Sequence, residues 1–325
     1  MPSLALPQQA NRGFVNSFEI PMSKIIRVTV PEENPPIAIN DAKTDETDIK
    51  SYVQLMLDGS ALRPKPKIDG LLRHEDVDGV ASELLRIAMD PTTPHSWLDT
   101  VIPTLGYLTD RDEVLQTLVK LLESSAGDQM VTCRVIRAFE NSTHDTKAII
   151  SLLSPYRNDP HFRVRWATYY TFLRIGTKKE SSRNLIAPLL IEMLDDPWLR
   201  VRSDVSGVLG RWQIGAAIPA LRERRRDDLG QVRVWAAWAE WKATGDADRA
   251  IALMTTQLYG DTYSGKWEAA YLLNEFETLP PLTKKVLREA TRFEIKSPCV
   301  GAMYERNRIK RAATTTLRKF AETDG

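Results

Sequence analysis

Three places in the middle of the chain repeat a combination of residues suited to binding. Val164, Val201 and Val232 are each followed directly by an arginine, Arg165, Arg202 and Arg233. Six residues after each valine stand Tyr170, Gly207 and Trp238, and ten residues after it stand Arg174, Arg211 and Lys242. Rings beside regularly spaced cations suit two chemistries. One is a nucleic acid, with phosphates on the cations and bases stacked on the rings. The other is an acidic polypeptide with aromatic anchors. If any tryptophan reaches solvent, Trp198 in a turn and Trp238 are the candidates.

Signals for catalysis are poor. The sequence has no phosphate-binding glycine loop, zinc motif or serine elbow. His74-Glu75 is the one His-Glu dipeptide; His95, His144 and His161 lack a following glutamate. Cys133 and Cys299 lie too far apart for a metal spacing. No catalytic residue, metal ligand or cofactor is therefore assigned. The run Arg222–Arg226, broken by Glu223, ends a first helix, where cations are favourable without any ligand. An anionic partner is the competing reading of that run.

What would hold such residues in register? Asp159, Asp196 and Asp227 each lie five residues before a repeat valine. Two copies also carry a proline 13 residues before it, Pro188 and Pro219. The valines are 37 and 31 residues apart, the period of stacked helical hairpins. Asp-Pro suits a turn and a helix start. The valine faces the hairpin core, and the arginine can grip an aspartate of its own unit or the next with two hydrogen bonds. An apolar stripe follows, as in Val164, Ala167, Phe172 and Ile175. One hairpin cannot bury that stripe alone, so neighbours must stack.

The run Ala187-Pro188-Leu189-Leu190, then Asp196-Pro197, Val201-Arg202 and Leu209-Gly210-Arg211, resembles a HEAT repeat of the short type found in phycobilin-lyase-like proteins. Residues 164–176, ending Arg174-Ile175-Gly176, are similar to the second helix of that repeat. The resemblance implies an all-α, right-handed α-α superhelix whose second helices line the concave side. Tyr170, Arg174, Arg211, Trp238, Lys242 and Trp198 then become candidates for a concave binding face. A basic residue before the terminal glycine also belongs to the repeat's own pattern, which is the competing reading. The family serves scaffolds, enzymes and nucleic-acid binders alike. Deoxyhypusine hydroxylases use HEAT repeats with several His-Glu dipeptides to hold two irons; one dipeptide disfavours that activity here. HEAT-like alkylpurine DNA glycosylases use Trp, Arg and an acidic residue in a concave groove. The Trp and Arg content is similar in kind, and Asp204 sits early in an inner helix. Nothing identifies a bilin site.

The chain has 325 residues, 42% hydrophobic and 27% charged, which fits a folded protein. Its net charge of +1 hides an asymmetry. Residues 1–160 carry 16 Lys and Arg against 23 Asp and Glu, while residues 161–245 carry 15 against 9. That field could steer a charged partner, or the solvated helix faces simply vary. Six of the eight tryptophans lie in 166–241, and Trp235, Trp238 and Trp241 share one helix face. Packing between stacked helices is the favoured role of these rings.

Three regions are expected. Residues 1–66 form an irregular arm, with one strand at 25–30, a short helix at 47–57 and a linker at 59–66. Residues 67–279 hold about six helix pairs. Residues 280–325 form a helical cap whose last helix, 302–321, is amphipathic and basic. With the repeat valine as ruler the slots fall at Trp97, Val131, Val164, Val201, Val232 and about Lys266. No apolar run is long enough to span a membrane, and no basic flank precedes an apolar core at the start, so no secretory signal is expected. A cytoplasmic location with reduced thiols follows as an expectation. The expected function is a non-catalytic adaptor holding a protein partner on its concave face. The alternative is nucleic-acid binding or repair along the basic, Trp-rich middle.

Overall fold

The computed structural model describes residues 49–58, 64–125, 127–142, 144–260, 263–294 and 300–323. The strand expected at 25–30 lies outside them, as does the rest of the irregular arm up to residue 48. Met1–Thr47 separates from Asp48–Gly325, and the second unit is treated by itself. Among the described residues all regular structure is helical, and no helix is long and apolar enough to cross a membrane.

Sixteen α-helices follow one another: α1 Ile49–Asp58, α2 Pro64–Leu72, α3 Val77–Met89, α4 His95–Gly106, α5 Asp112–Ser124, α6 Gln129–Ala138, α7 Thr146–Leu153 and α8 Phe162–Lys178. Then come α9 Arg183–Glu192, α10 Leu199–Arg211, α11 Ile218–Arg224, α12 Gly230–Thr244, α13 Ala247–Tyr259, α14 Lys266–Leu272, α15 Pro281–Ala290 and α16 Val300–Thr323. Each odd helix packs on the even helix after it, making eight hairpins. Each even helix also packs on the next even one throughout, whereas the odd helices touch their neighbours at fewer places. The even helices thus form the more closely packed of the two layers. The fold is a HEAT-like α-solenoid.

Residues 59–66, read as a linker, are in part helix. Pro64 and Pro66 sit in the first turn of α2, where the missing N–H groups have no intrahelical partner to lose. Together α1 and α2 make a hairpin ahead of the six that span 77–272.

The core is a continuous apolar sheet between the two layers. Val80, Val101, Leu118, Val135, Phe172, Val201 and Val232 are almost completely buried in it. Closeness varies along the even layer. A Cβ on Gly210 would lie 2.7 Å from both the Ala239 Cα and the Trp238 ring, so α10 and α12 touch backbone to side chain. Consequently α12 is buried on nearly every face, as its all-round apolar sequence suggests.

The turns do not work quite as the Asp-Pro pattern suggests. The Asp196 carboxylate accepts from the Trp198 N–H at 2.7 Å, and α10 begins one residue later, so Pro197 lies before the helix. Asp159 and Asp227 do the same with the N–H groups of His161 (2.7 Å) and Leu229 (3.0 Å). These are Asx turns, in which a short carboxylate folds the chain into the helix entrance.

The arginines join unit to unit. Arg165 donates Nε and Nη2 to the Asp196 carboxylate of the next unit at 2.6 and 3.0 Å, and Nη1 to the carbonyls of Asp159 and Pro160 in its own. Arg202 repeats this with Asp227 at 2.9 and 3.1 Å and with the carbonyls of Asp196 and Pro197. Arg233 grips the carbonyls of Asp227 and Asp228, and its Nη2 donates to the Gln257 side-chain carbonyl at 2.9 Å. Gln257 passes its own amide N–H to the Ser264 carbonyl. Both reaches foreseen for the arginine are thus used at once: side chain forward, backbone back.

The carboxylates of Asp196 and Asp227 are 3% and 5% exposed, so each pair is desolvated and fully bonded. Removing one partner of such a pair strands a buried charge, at about 3–5 kcal/mol. Asp196→Ala is expected to lower unfolding stability by about that amount in urea titrations, with Val201→Ala, a plain cavity, as the comparison. Burial pushes the Asp227 carboxyl up, yet Arg202 and the Leu229 N–H outweigh it and hold the carboxyl below its usual range. Its stabilisation is therefore present above about pH 4 and is lost as pH falls through the lowered value. Asp227→Asn should cost about 2 kcal/mol or more at neutral pH, and the gap to the native chain should close in acid.

Candidate functional site

The repeat register gives each even helix one stripe at equal offsets. On α8 that stripe is Trp166, Tyr170 and Arg174, half-buried at four-residue spacing. The rings of Trp166 and Tyr170 stack with centroids 5.5 Å apart, and the Arg137 guanidinium of α6 lies 5.1 Å above the Tyr170 ring. The Trp166 Nε1–H donates across to Asp204 of α10 at 3.4 Å, and Arg200 donates to the same carboxylate oxygen at 3.2 Å. Burial pushes the Asp204 carboxyl up despite Arg200 and Trp166.

The ladder of cations exists, but most of it is neutralised. Arg174 faces Glu140 at 3.9 Å, and Lys242 pairs with Glu275 at 3.0 Å. Arg211 is exposed and forms no ion pair among the described residues. Lys242 also sits 4.5 Å over the Trp241 ring, which stacks on Phe276 at 4.0 Å.

Trp238 does not reach solvent; it is 3% exposed. The cause is the pair Gly207 and Gly210, which leave notches in α10 that Trp235 and Trp238 fill from α12. Its indole N–H is buried without an acceptor. Trp198 is half-buried at the entrance of α10 and meets the Phe162 ring edge-on at 4.7 Å. Phe162 stacks in turn on His161 at 4.9 Å, so the turn rings form an apolar ridge at the rim.

The basic run of α11 is spent internally. Arg222 and Arg225 hold the buried Glu240 at 2.9 and 3.1 Å, Arg224 pairs with Asp195 at 3.0 Å, and Arg226 faces Glu223. On α16, Arg306 and Lys310 hold Glu294, and Lys319 donates to the carbonyls of Asn274 and Phe276. His74 tilts against the Tyr52 ring at 4.5 Å. Among the described residues no cluster of three His, Cys, Asp or Glu could hold a metal.

A second aromatic step was missed. On α14 the rings of Trp267 and Tyr271 stack at 5.4 Å, and the Arg308 guanidinium lies 3.8 Å over Trp267. The spacing repeats Trp166 and Tyr170, so the slot of this unit is Gly265 rather than Lys266. Lys266 then takes the place of the repeat arginine, and its Nζ donates to the Leu258 carbonyl. The Trp-x-x-x-Tyr recurrence was visible in the sequence. Glu268 on the same helix is buried, and burial pushes its carboxyl up to about 7, against the pull of its own N–H and Arg308.

No known protein family matches the sequence, and no curated protein resembles it closely enough to count. Solved structures do align with it. YibA of E. coli aligns over 79% of this chain and 97% of its own, at 17% identity and a TM-score of 0.47. The CpcE–CpcF complex of phycocyanin lyase from Nostoc aligns over 78% and 96%, at 16% and 0.36. Human deoxyhypusine hydroxylase aligns over 83% and 97%, at 14% and 0.30. At such identities and scores these likenesses say nothing of activity or partner.

Because Glu268 binds its proton more tightly in the fold than in the unfolded chain, its contribution is full below about pH 4.3 and is lost as pH rises through about 7. Glu268→Gln should remove that dependence. At pH 8 the variant should be more stable than the native chain by on the order of 2–3 kcal/mol, and at pH 4 nearly equal, read by denaturant titration at both values.

Proposed function

We propose that the chain is a non-catalytic adaptor whose inner face holds a protein partner, as Tyr170, Arg174, Arg211 and Lys242 suggest, with Trp198 at the rim. The observation that carries this reading is the matching of the face's own charges. Arg174, Arg200 and Lys242 each stand beside a carboxylate, and Trp166 and Tyr170 supply half-buried rings between them. Such a surface is rich in the residues that anchor protein interfaces. These paired cations offer little to a phosphate backbone, whose binding depends on free ones. Trp238 belongs to the helix packing and drops out of the face.

The mechanism is additive. Stacked hairpins provide a rigid curve, and each inner helix adds a few contacts to one continuous surface. A photo-crosslinking residue at position 170 should trap a discrete protein adduct in native cells, resistant to nuclease. The same residue at position 226, on an exposed outer position, should trap none. An adduct at 170 that nuclease removes would reject the protein partner in favour of nucleic acid.

A further inference from the structure

We infer that the segment held on the inner face is acidic, with carboxylates seated on Arg137, Arg163 and Arg211; this rests on the reading of that face as protein-binding. Almost every other arginine of the middle units is committed. Arg165 and Arg202 lie in the buried pairs, Arg222 to Arg226 are paired at the edge, and Arg174 and Arg200 face Glu140 and Asp204. Arg137, Arg163 and Arg211 are exposed and lie one each on α6, α8 and α10, and among the described residues none of them forms an ion pair.

Two of the three are held in advance. Arg137 rests on Tyr170, and Arg163 lies 5.8 Å from the Phe162 ring centre with its Nη1 3.9 Å from the Met130 sulfur. A guanidinium laid on a ring keeps its edge donors free in a fixed plane, which suits a carboxylate bound by two hydrogen bonds. The cost of ordering the side chain has already been met.

The same geometry selects a polypeptide over a polyphosphate. Glu140 and Glu275 stand beside Arg174 and Lys242 on this face, and one Glu140 oxygen is buried without a donor. An evenly charged backbone would have to press phosphates against these carboxylates. A peptide places acids where the free arginines are and apolar or neutral residues elsewhere. Even helices about 8–10 Å apart with a rise of about 1.5 Å per residue put Arg137 and Arg163 on the order of 15 Å apart. Arg163 and Arg211 come out on the order of 20 Å apart, and so do Arg137 and Arg211, so the segment turns back at Arg163, with about four residues on one side of the turn and about six on the other.

The probe is a fluorescein-labelled Gly-Ser peptide of about sixteen residues with three glutamates about five apart and a phenylalanine between each pair. Matched peptides carry glutamine or lysine in place of glutamate, and a thymidine oligonucleotide of similar length is the nucleic-acid arm. By fluorescence anisotropy the full chain should bind the glutamate peptide at least about tenfold more tightly than the others. Changing Arg137, Arg163 and Arg211 together to glutamate should remove that preference and leave the thermal midpoint unchanged. Reversing the exposed Arg226, Arg249 and Lys285 instead should change nothing. Equal binding of the glutamate and glutamine peptides, lost in Tyr170→Ala, would overturn the acidic occupant and leave the protein-binding reading standing. Tighter oligonucleotide binding with steep salt dependence would overturn both. No binding of the glutamate peptide at about 1 mM overturns the inference as well.

Discussion

The stack depends on the lateral arginine-aspartate contact. A hairpin buries one apolar stripe against its neighbours, but apolar contact alone does not fix how far one unit slides along the next. Arg165 and Arg202 fix it, because each guanidinium must meet a carboxylate in the following turn and two carbonyls in its own. Each aspartate in turn closes the entrance of its helix. A single residue type therefore sets both the local turn and the spacing between units. The pairs are buried, so they tolerate no slippage: a shift of one residue would leave charges without partners.

That registration makes one continuous surface out of separate helices. With α8, α10 and α12 locked in phase, equal offsets from the repeat valine come into line. Trp166 can then donate to Asp204, and Lys242 can reach Glu275, across a helix boundary. This surface is consequently a set of side chains already oriented by one another. Its remaining free donors are the few arginines that found no acid of their own.

The architecture was legible because it rests on spacing. The Asp, Val and Arg positions recur within a few residues in the three middle units, where those side chains make the turn, the core and the lateral contact. Helix ends followed as well: α3 and α7 begin and end where the apolar period does. The site was less legible, for a reason visible in α10. Offset alone treats Tyr170, Gly207 and Trp238 as equivalent, yet two glycines let α12 close on α10, and the ring that should have faced outward filled the notch. Pairing was likewise hidden, since Glu140, Asp204 and Glu275 occupy no common repeat position. Which cation is spent depends on an acid supplied by a neighbouring unit at an offset of its own.

The way the lateral series stops has a consequence of its own. Toward the amino end Thr132 stands where an arginine would, its hydroxyl bonded within its own turn. Toward the carboxyl end Gln257 receives Arg233 without a charge and hands a proton donor on to Ser264. Like chain-stopping groups on a polymer, these neutral residues end the alternation: Arg233 is met by an amide, and Thr132 brings Asp159 no guanidinium. The protein can thus be lengthened by copying a whole interior unit, acid and base together, whereas a copy of either end would leave one ion with nothing to meet.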